Sequence, residues 1–294
     1  MLRCYDRILQ LNNVEYEAML TSLYFERLNR KHNDIIEILQ RRNLDWNETF
    51  YTMLLRVLGG MENRGAMLEL SERVSCRMVM RENSSLVTLE SLLLGAAGLL
   101  DIYHPDDYIN RLRLEFDHLS LKYDIMPMLP GEWNLNSYYR ANHPTLRIAQ
   151  LAACLHNRDF NIQTAIACRN SSDIYDFFRG NASEYWINNF LPKSKVKQTT
   201  YRIGHLKSDL LGINLIAPMM YTYGNYINSE DIVCRSITLL ESITAEFNRY
   251  TKPWYNVGIE PRNAFVSQAL IQLSKEYCAA KRCEACPLSR HFKR

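Results

Sequence analysis

Little in this sequence belongs to a known catalytic vocabulary. It has no glycine-rich phosphate loop, no His-Glu-x-x-His pair and no Gly-x-Ser-x-Gly elbow. P-loop hydrolysis, zinc proteolysis and α/β-hydrolase chemistry therefore lack their sequence marks. Acid pairs such as Asp106-Asp107 and Glu230-Asp231 have no partner base, so general acid–base chemistry has no anchor. Long apolar runs are missing as well. The two best, 86–100 and 210–223, are interrupted by Glu90 and by Asn214 and Pro218, and neither suits a bilayer crossing. Asp6 falls where the apolar core of a signal peptide would begin, which points to the cytoplasm. No tract alternates apolar and polar residues over any length, and no segment repeats at a fixed period.

What is present is helical periodicity. The 294 residues are 47 % apolar, enough to bury a core, and carry a net charge of only +3. In 14–40, apolar side chains recur at three- and four-residue steps (Tyr16, Met19, Leu20, Leu23, Leu28, Ile35, Ile38, Leu39). The pattern returns in 46–58, where Gly59-Gly60 stops it. It returns again in 67–74, 86–100, 105–122, 144–155, 174–190, 210–223, 232–247 and 264–277. The 86–100 stretch is apolar nearly all round and should be a central helix. Pro218 should kink or end the helix that contains it. The expected fold is all-α: one bundle of about a dozen helices ending in a Cys-rich loop. The only plausible hinge is near residues 191–206.

Charge is unevenly placed. Residues 275–294 hold six Lys or Arg against two acids, and 193–207 hold five (Lys193, Lys195, Lys197, Arg202, Lys207) and no acid, with Tyr201 among them. Such runs can meet phosphates, although a charge run is more often a solvated face. Arg140, Arg147 and Gln150 gather around the helix start at Pro144, with Arg147 and Gln150 on a face away from the Ile148-Leu151-Leu155 stripe. These residues could hold an anion or a nucleic-acid backbone near a helix N-terminus, or simply brace loops. Asn263 reads as an N-cap.

The densest chemistry is at the end. Cys278-x4-Cys283-x2-Cys286-x4-His291 follows an amphipathic helix. Two thiolates three residues apart can reach one ion, Cys278 offers a third, and His291 is the nearest fourth. The expected cofactor is zinc. An iron–sulfur cluster and a set of reduced structural thiols are the alternatives. The other cysteines, Cys4, Cys76, Cys154, Cys168 and Cys234, stand singly in apolar surroundings and read as small buried hydrophobes.

The cysteine spacing resembles the cluster loop of helix-hairpin-helix DNA glycosylases, with a first gap of four rather than six and Phe292 where the fourth Cys would fall. No hairpin with paired glycines and a catalytic Lys and Asp accompanies it, so the resemblance implies a local device and no activity. A wider set of segments resembles an uncharacterised bacterial family, numbered 2851 among the domains of unknown function and common in the Bacteroidetes. They are Glu26-Arg27-Leu28-Asn29-Arg30-Lys31, Leu89 to Leu100, Asn142-His143-Pro144-Thr145 to Ala152, Pro218 to Gly224, and Ser267 to Leu273 running into the cysteines. The likeness runs from about residue 20 to the end. It implies the helical fold and the clasp. It also implies that relatives carry a further, strand-rich N-terminal domain not seen in this sequence.

The function these readings point to is a non-catalytic helical binding domain with a metal clasp, associated with nucleic acid or a protein partner. The alternatives are a nucleic-acid-processing enzyme with a pocket near Arg140 and Arg147, and a scaffold left from a two-domain nuclease-like protein.

Overall fold

The computed structural model describes residues 2–101, 106–136, 142–157, 159–190 and 201–291, and only the backbone of Leu2, Arg3, Tyr5, Arg290 and His291. Among the described residues there is no β-strand, and one antiparallel bridge joins Asn181 to Arg202. The fold is all-α. The helices in order are α1 (Leu2–Leu9), α2 (Asn13–Arg41), α3 (Trp46–Leu58), α4 (Arg64–Arg73), α5 (Cys76–Glu82), α6 (Leu86–Ala96), α7 (Asp107–Tyr123), α8 (Pro144–Leu155) and α9 (Ile162–Ala167). They continue with α10 (Ser171–Phe177), α11 (Tyr185–Asn188), α12 (His205–Leu211), α13 (Ala217–Tyr226), α14 (Glu230–Glu241), α15 (Lys252–Tyr255), α16 (Ala264–Gln272) and α17 (Pro287–His291). The chain divides into two compact units, one of Met1–Glu37, Arg169–Ser171 and Ile216–Arg294, the other of Ile38–Cys168 and Ser172–Leu215. Most of the suggested hinge, residues 191–200, lies outside the described residues.

The second unit is built around α6 and α8. Every residue of α8 is buried, and so are Leu89 to Ala96 of α6. Each fully buried Leu or Ile here contributes about 2 kcal/mol. α6 packs against both α7 and α8. Gly95 allows the first contact, because a Cβ there would sit 2.1 Å from the Phe116 ring. Glu90, which looked like an interruption of an apolar run, is wholly buried and accepts three hydrogen bonds: from Tyr108 Oη (2.6 Å), Trp186 Nε1 (2.8 Å) and the Ser183 N–H (2.9 Å). Burial still holds its carboxyl above the ordinary value, while the three donors pull it back.

The aromatic tract 174–190 is not one helix, as its periodicity suggests. α10 ends at Phe177, and the chain turns at Gly180, where a Cβ would lie 2.6 Å from the Ala153 backbone. The N–H of Ala182 then donates to the Tyr201 carbonyl (3.1 Å), an interaction that a continuous helix could not make.

The first unit rests on α2, α13, α14 and α16. Leu20, Leu23 and Tyr24 of α2 are buried, with the Tyr24 and Phe265 rings 4.9 Å apart. Asn263 caps α16 by accepting from the Val266 N–H (3.1 Å), as its sequence position suggests. α14 stops at Glu241, earlier than its apolar pattern. The carbonyl of Ile243, just beyond it, accepts from Ala264 N–H (2.8 Å) and so joins the start of α16.

Candidate functional sites

Arg147 sits in the first turn and a half of α8. His143 caps that helix: its Nδ1 accepts from the Thr145 N–H (3.3 Å) and also meets the Thr145 hydroxyl. Burial lowers the His143 pKa to about 4, so its ring is neutral at pH 7. From this start the helix carries Arg147 and Gln150 inward. The helical-wheel reading set them on a face away from the core stripe, but α8 is covered on all sides. Arg147 is only 8 % exposed and Gln150 is fully buried. Arg147 Nη1 donates to Gln150 Oε1 and Nη2 to Asn142 Oδ1, both at 2.7 Å. Gln150 Nε2 in turn donates to the Arg202 carbonyl (3.3 Å).

This guanidinium is unusual for what it lacks. Its Nε is buried without a hydrogen-bond partner. Among the described residues no carboxylate pairs with it, and burial alone lowers its pKa to about 10. A second cation lies in its field. Lys207 of α12 is half-buried, and burial, then repulsion from Arg147, lowers its pKa to about 8. Ser208, the next residue, has a buried hydroxyl with no partner. Every Asp and Glu of the sequence is among the described residues, and in sequence the segments 137–141 and 191–200 hold Arg140, Lys193, Lys195 and Lys197 and no acid. Those four candidates lie outside the described residues, whereas Arg202 is described and exposed. Arg147, buried, and Lys207, half-buried, thus have no carboxylate partner among the described residues. An enzymatic use of Arg147 and Gln150 would need an acid or base beside them. No carboxylate acts on Arg147, and the neutral His143 engages Thr145.

The cysteine end is built differently. α16 runs into a π turn at Leu273–Cys278, where the Ala279 N–H reaches the Ser274 carbonyl (2.8 Å). The π turn is fixed from one side: Tyr277 Oη donates to both carboxylate oxygens of Glu26 (2.9 and 2.7 Å), and Arg30 pairs with Glu276 (2.8 Å). Lys281 then takes a left-handed backbone (φ 55°), and the Arg282 N–H returns to the Tyr277 carbonyl (2.8 Å). After this reversal the 3-10 turn Cys283–Ala285 packs against the π turn, and Pro287 starts α17.

Cys278, Cys283 and Cys286 therefore line one pocket, as their spacing suggests, and all are free thiols. Of His291 only the backbone is described. A fourth cysteine is there instead: Cys4 of α1 lines the same pocket, as does Arg7. α1 packs on α17, which brings Cys4 in. Burial raises the Cys278 thiol to about 11, with further upward pushes from Cys286, Cys4 and Cys283. Cys286 is raised by burial and by the same two neighbours, Cys4 and Cys283. Among the described residues no three His, Cys, Asp or Glu side chains stand close enough to hold one metal ion. The reading of the remaining cysteines as buried fits Cys154 and Cys168; Cys4 and Cys76 are half-buried, and Cys234 is exposed.

A family model described as "Protein of unknown function (DUF2851)" matches residues 1–249. The chain belongs to that family. The match begins at the first residue, not near residue 20, and takes in Cys4, Arg147 and Lys207 while stopping short of Cys278, Cys283 and Cys286. No curated protein and no solved structure matches the chain. No helix of the described residues is long and apolar enough to cross a membrane.

Proposed function

We propose that this family member is a non-catalytic helical binding domain, clasped by a metal at its cysteine-rich end, whose ligand is the phosphate backbone of a nucleic acid. One observation carries the choice of ligand. Arg147 is buried with its Nε unpartnered and no carboxylate in its field, and Lys207 adds a second positive charge beside it. A protein rarely buries a cation uncompensated, and a phosphate oxygen would satisfy the Arg147 Nε. The four further cations at Arg140, Lys193, Lys195 and Lys197, with exposed Arg202, extend the positive charge in sequence to either side. A polymer of phosphates suits such a run better than a single small anion.

Fluorescence anisotropy with short labelled RNA and DNA strands tests this reading. Arg147→Gln should weaken binding at low salt at least about tenfold, the loss expected for one charge-assisted contact. Inorganic phosphate should compete. A chain that fails to bind either strand at low salt, or a folded Arg147→Gln variant that binds as the parent does, overturns it.

A further inference from the structure

Four of the eight cysteines line one pocket, and they come from opposite ends of the chain. We propose that Cys4, Cys278, Cys283 and Cys286 together hold a [4Fe–4S] cluster, with Cys4 as the ligand that the C-terminal loop lacks. This rests on the metal clasp proposed above, and it replaces His291 by Cys4 as the fourth ligand.

Ligand type comes first. Four cysteine thiols and no described His or carboxylate line the pocket, and as thiolates they suit zinc or an iron–sulfur core. Spacing separates the two. Around one zinc the four sulfurs crowd a single point. In a cubane each cysteine bonds a different iron, so the sulfurs stand at the corners of a wider body. Among the described residues no three ligand side chains stand together at the spacing of one ion, although four cysteines line one pocket. Charge fits as well. Four thiolates give the assembled cluster a net negative charge, and Arg7, one turn after Cys4 on α1, faces the same pocket.

Assembly uses two ferrous ions, two ferric ions and four sulfides as co-reactants, so that no further oxidant or reductant is needed. Each of the four thiols loses its proton to solvent as its sulfur bonds an iron, and no protein group changes oxidation state. The π turn, the left-handed Lys281 and the Cys286-Pro287 step set three of the cysteines around the pocket. The contact of α1 with α17 supplies the fourth. The cluster would thus pin residue 4 to residue 278, closing a loop of nearly the whole chain.

The test is iron, sulfide and zinc analysis of the full chain purified without oxygen, with Cys4→Ser, His291→Ala and Cys234→Ser beside it. The expected result is about four iron and four sulfide per chain, a broad visible absorbance, and loss of more than half the iron in Cys4→Ser alone. Alkylation guards against a Cys4→Ser chain that simply misfolds. In the parent protein Cys4, Cys278, Cys283 and Cys286 should resist the reagent together, and chelating the iron should expose all four at once while Cys234 reacts throughout. Iron retained in Cys4→Ser overturns the proposal. So does a single zinc in place of iron; zinc that depends on His291 and not on Cys4 leaves the clasp standing without the cluster. A chain with neither metal after reconstitution removes the clasp as well.

Discussion

At the scale of single residues, the cost of holding unpaired cations should be measurable. Lys207 has a folded pKa of about 8 against an ordinary 10.5, for reasons of burial and then of Arg147. Between those values the unfolded chain binds more protons than the folded one. Stability should therefore rise as pH goes from about 8 towards 10.5, and the penalty is complete below about 8. Lys207→Met is expected to remove that slope and to raise Tm at neutral pH by about 1–3 °C, while weakening oligonucleotide binding. A thermal melt across pH reads it, and an unchanged slope in the variant would mean that Lys207 is charged at no cost. Glu90 is the opposite case, a buried acid with its donors in place. Glu90→Ala removes the carboxylate to which Tyr108 Oη, the Trp186 indole N–H and the Ser183 N–H donate. A loss of about 3 kcal/mol or more is expected in urea unfolding. A loss below about 1 kcal/mol would show that water reaches those donors.

At the scale of elements, most of the helices could be read from periodicity and punctuation. The 46–58 helix has the bounds its pattern suggests, because Asp45 caps one end and Gly59-Gly60 breaks the other. The misreadings have physical causes. The 174–190 tract has the aromatic spacing of a helix, but spacing cannot show that a backbone elsewhere needs the room left at Gly180. The π turns at 212–216 and 273–278 keep a helical pattern while shifting the face that follows. Gly98 makes the same point where α6 ends. It holds φ +66°, and a Cβ there would lie 2.0 Å from the Met128 carbonyl oxygen, next to the bond from the Met128 N–H to Ala96. Gly98→Ala should cost about 3 kcal/mol, from strain and clash together, against about 1 kcal/mol for loss of the cap in Asn263→Ala. Chemical denaturation of the two variants side by side checks the order, and equal losses would mean that the loop after α6 simply moves aside.

At the scale of the whole molecule, the two candidate sites were legible to different depths. The C-terminal sulfurs could be grouped because their spacing is local. Cys4 could not, since nothing near residue 4 marks it and only the packing of α1 on α17 brings it in. Arg147 and Gln150 could be singled out at a helix start, but a helical wheel assumes an open side, and α8 has none. The missing counter-charge is also a global property, visible only once every acid has a place. It leads to a prediction about the ligand as a whole. If the cations at Arg147 and Lys207 meet phosphates, and Lys193, Lys195 and Lys197 meet more along the same strand, log K should fall linearly with log salt, with a slope of about −0.7 for each phosphate neutralised on a single strand. Removing the three lysines together should flatten that slope by about 2 without altering thermal stability. Arg147→Gln should flatten it by less than 1 and yet cost more affinity at every salt concentration, because a buried cation loses a short, directed contact while the lysines lose only screened attraction. Equal slopes in all three proteins would place the strand elsewhere and return Arg147 to a purely structural role.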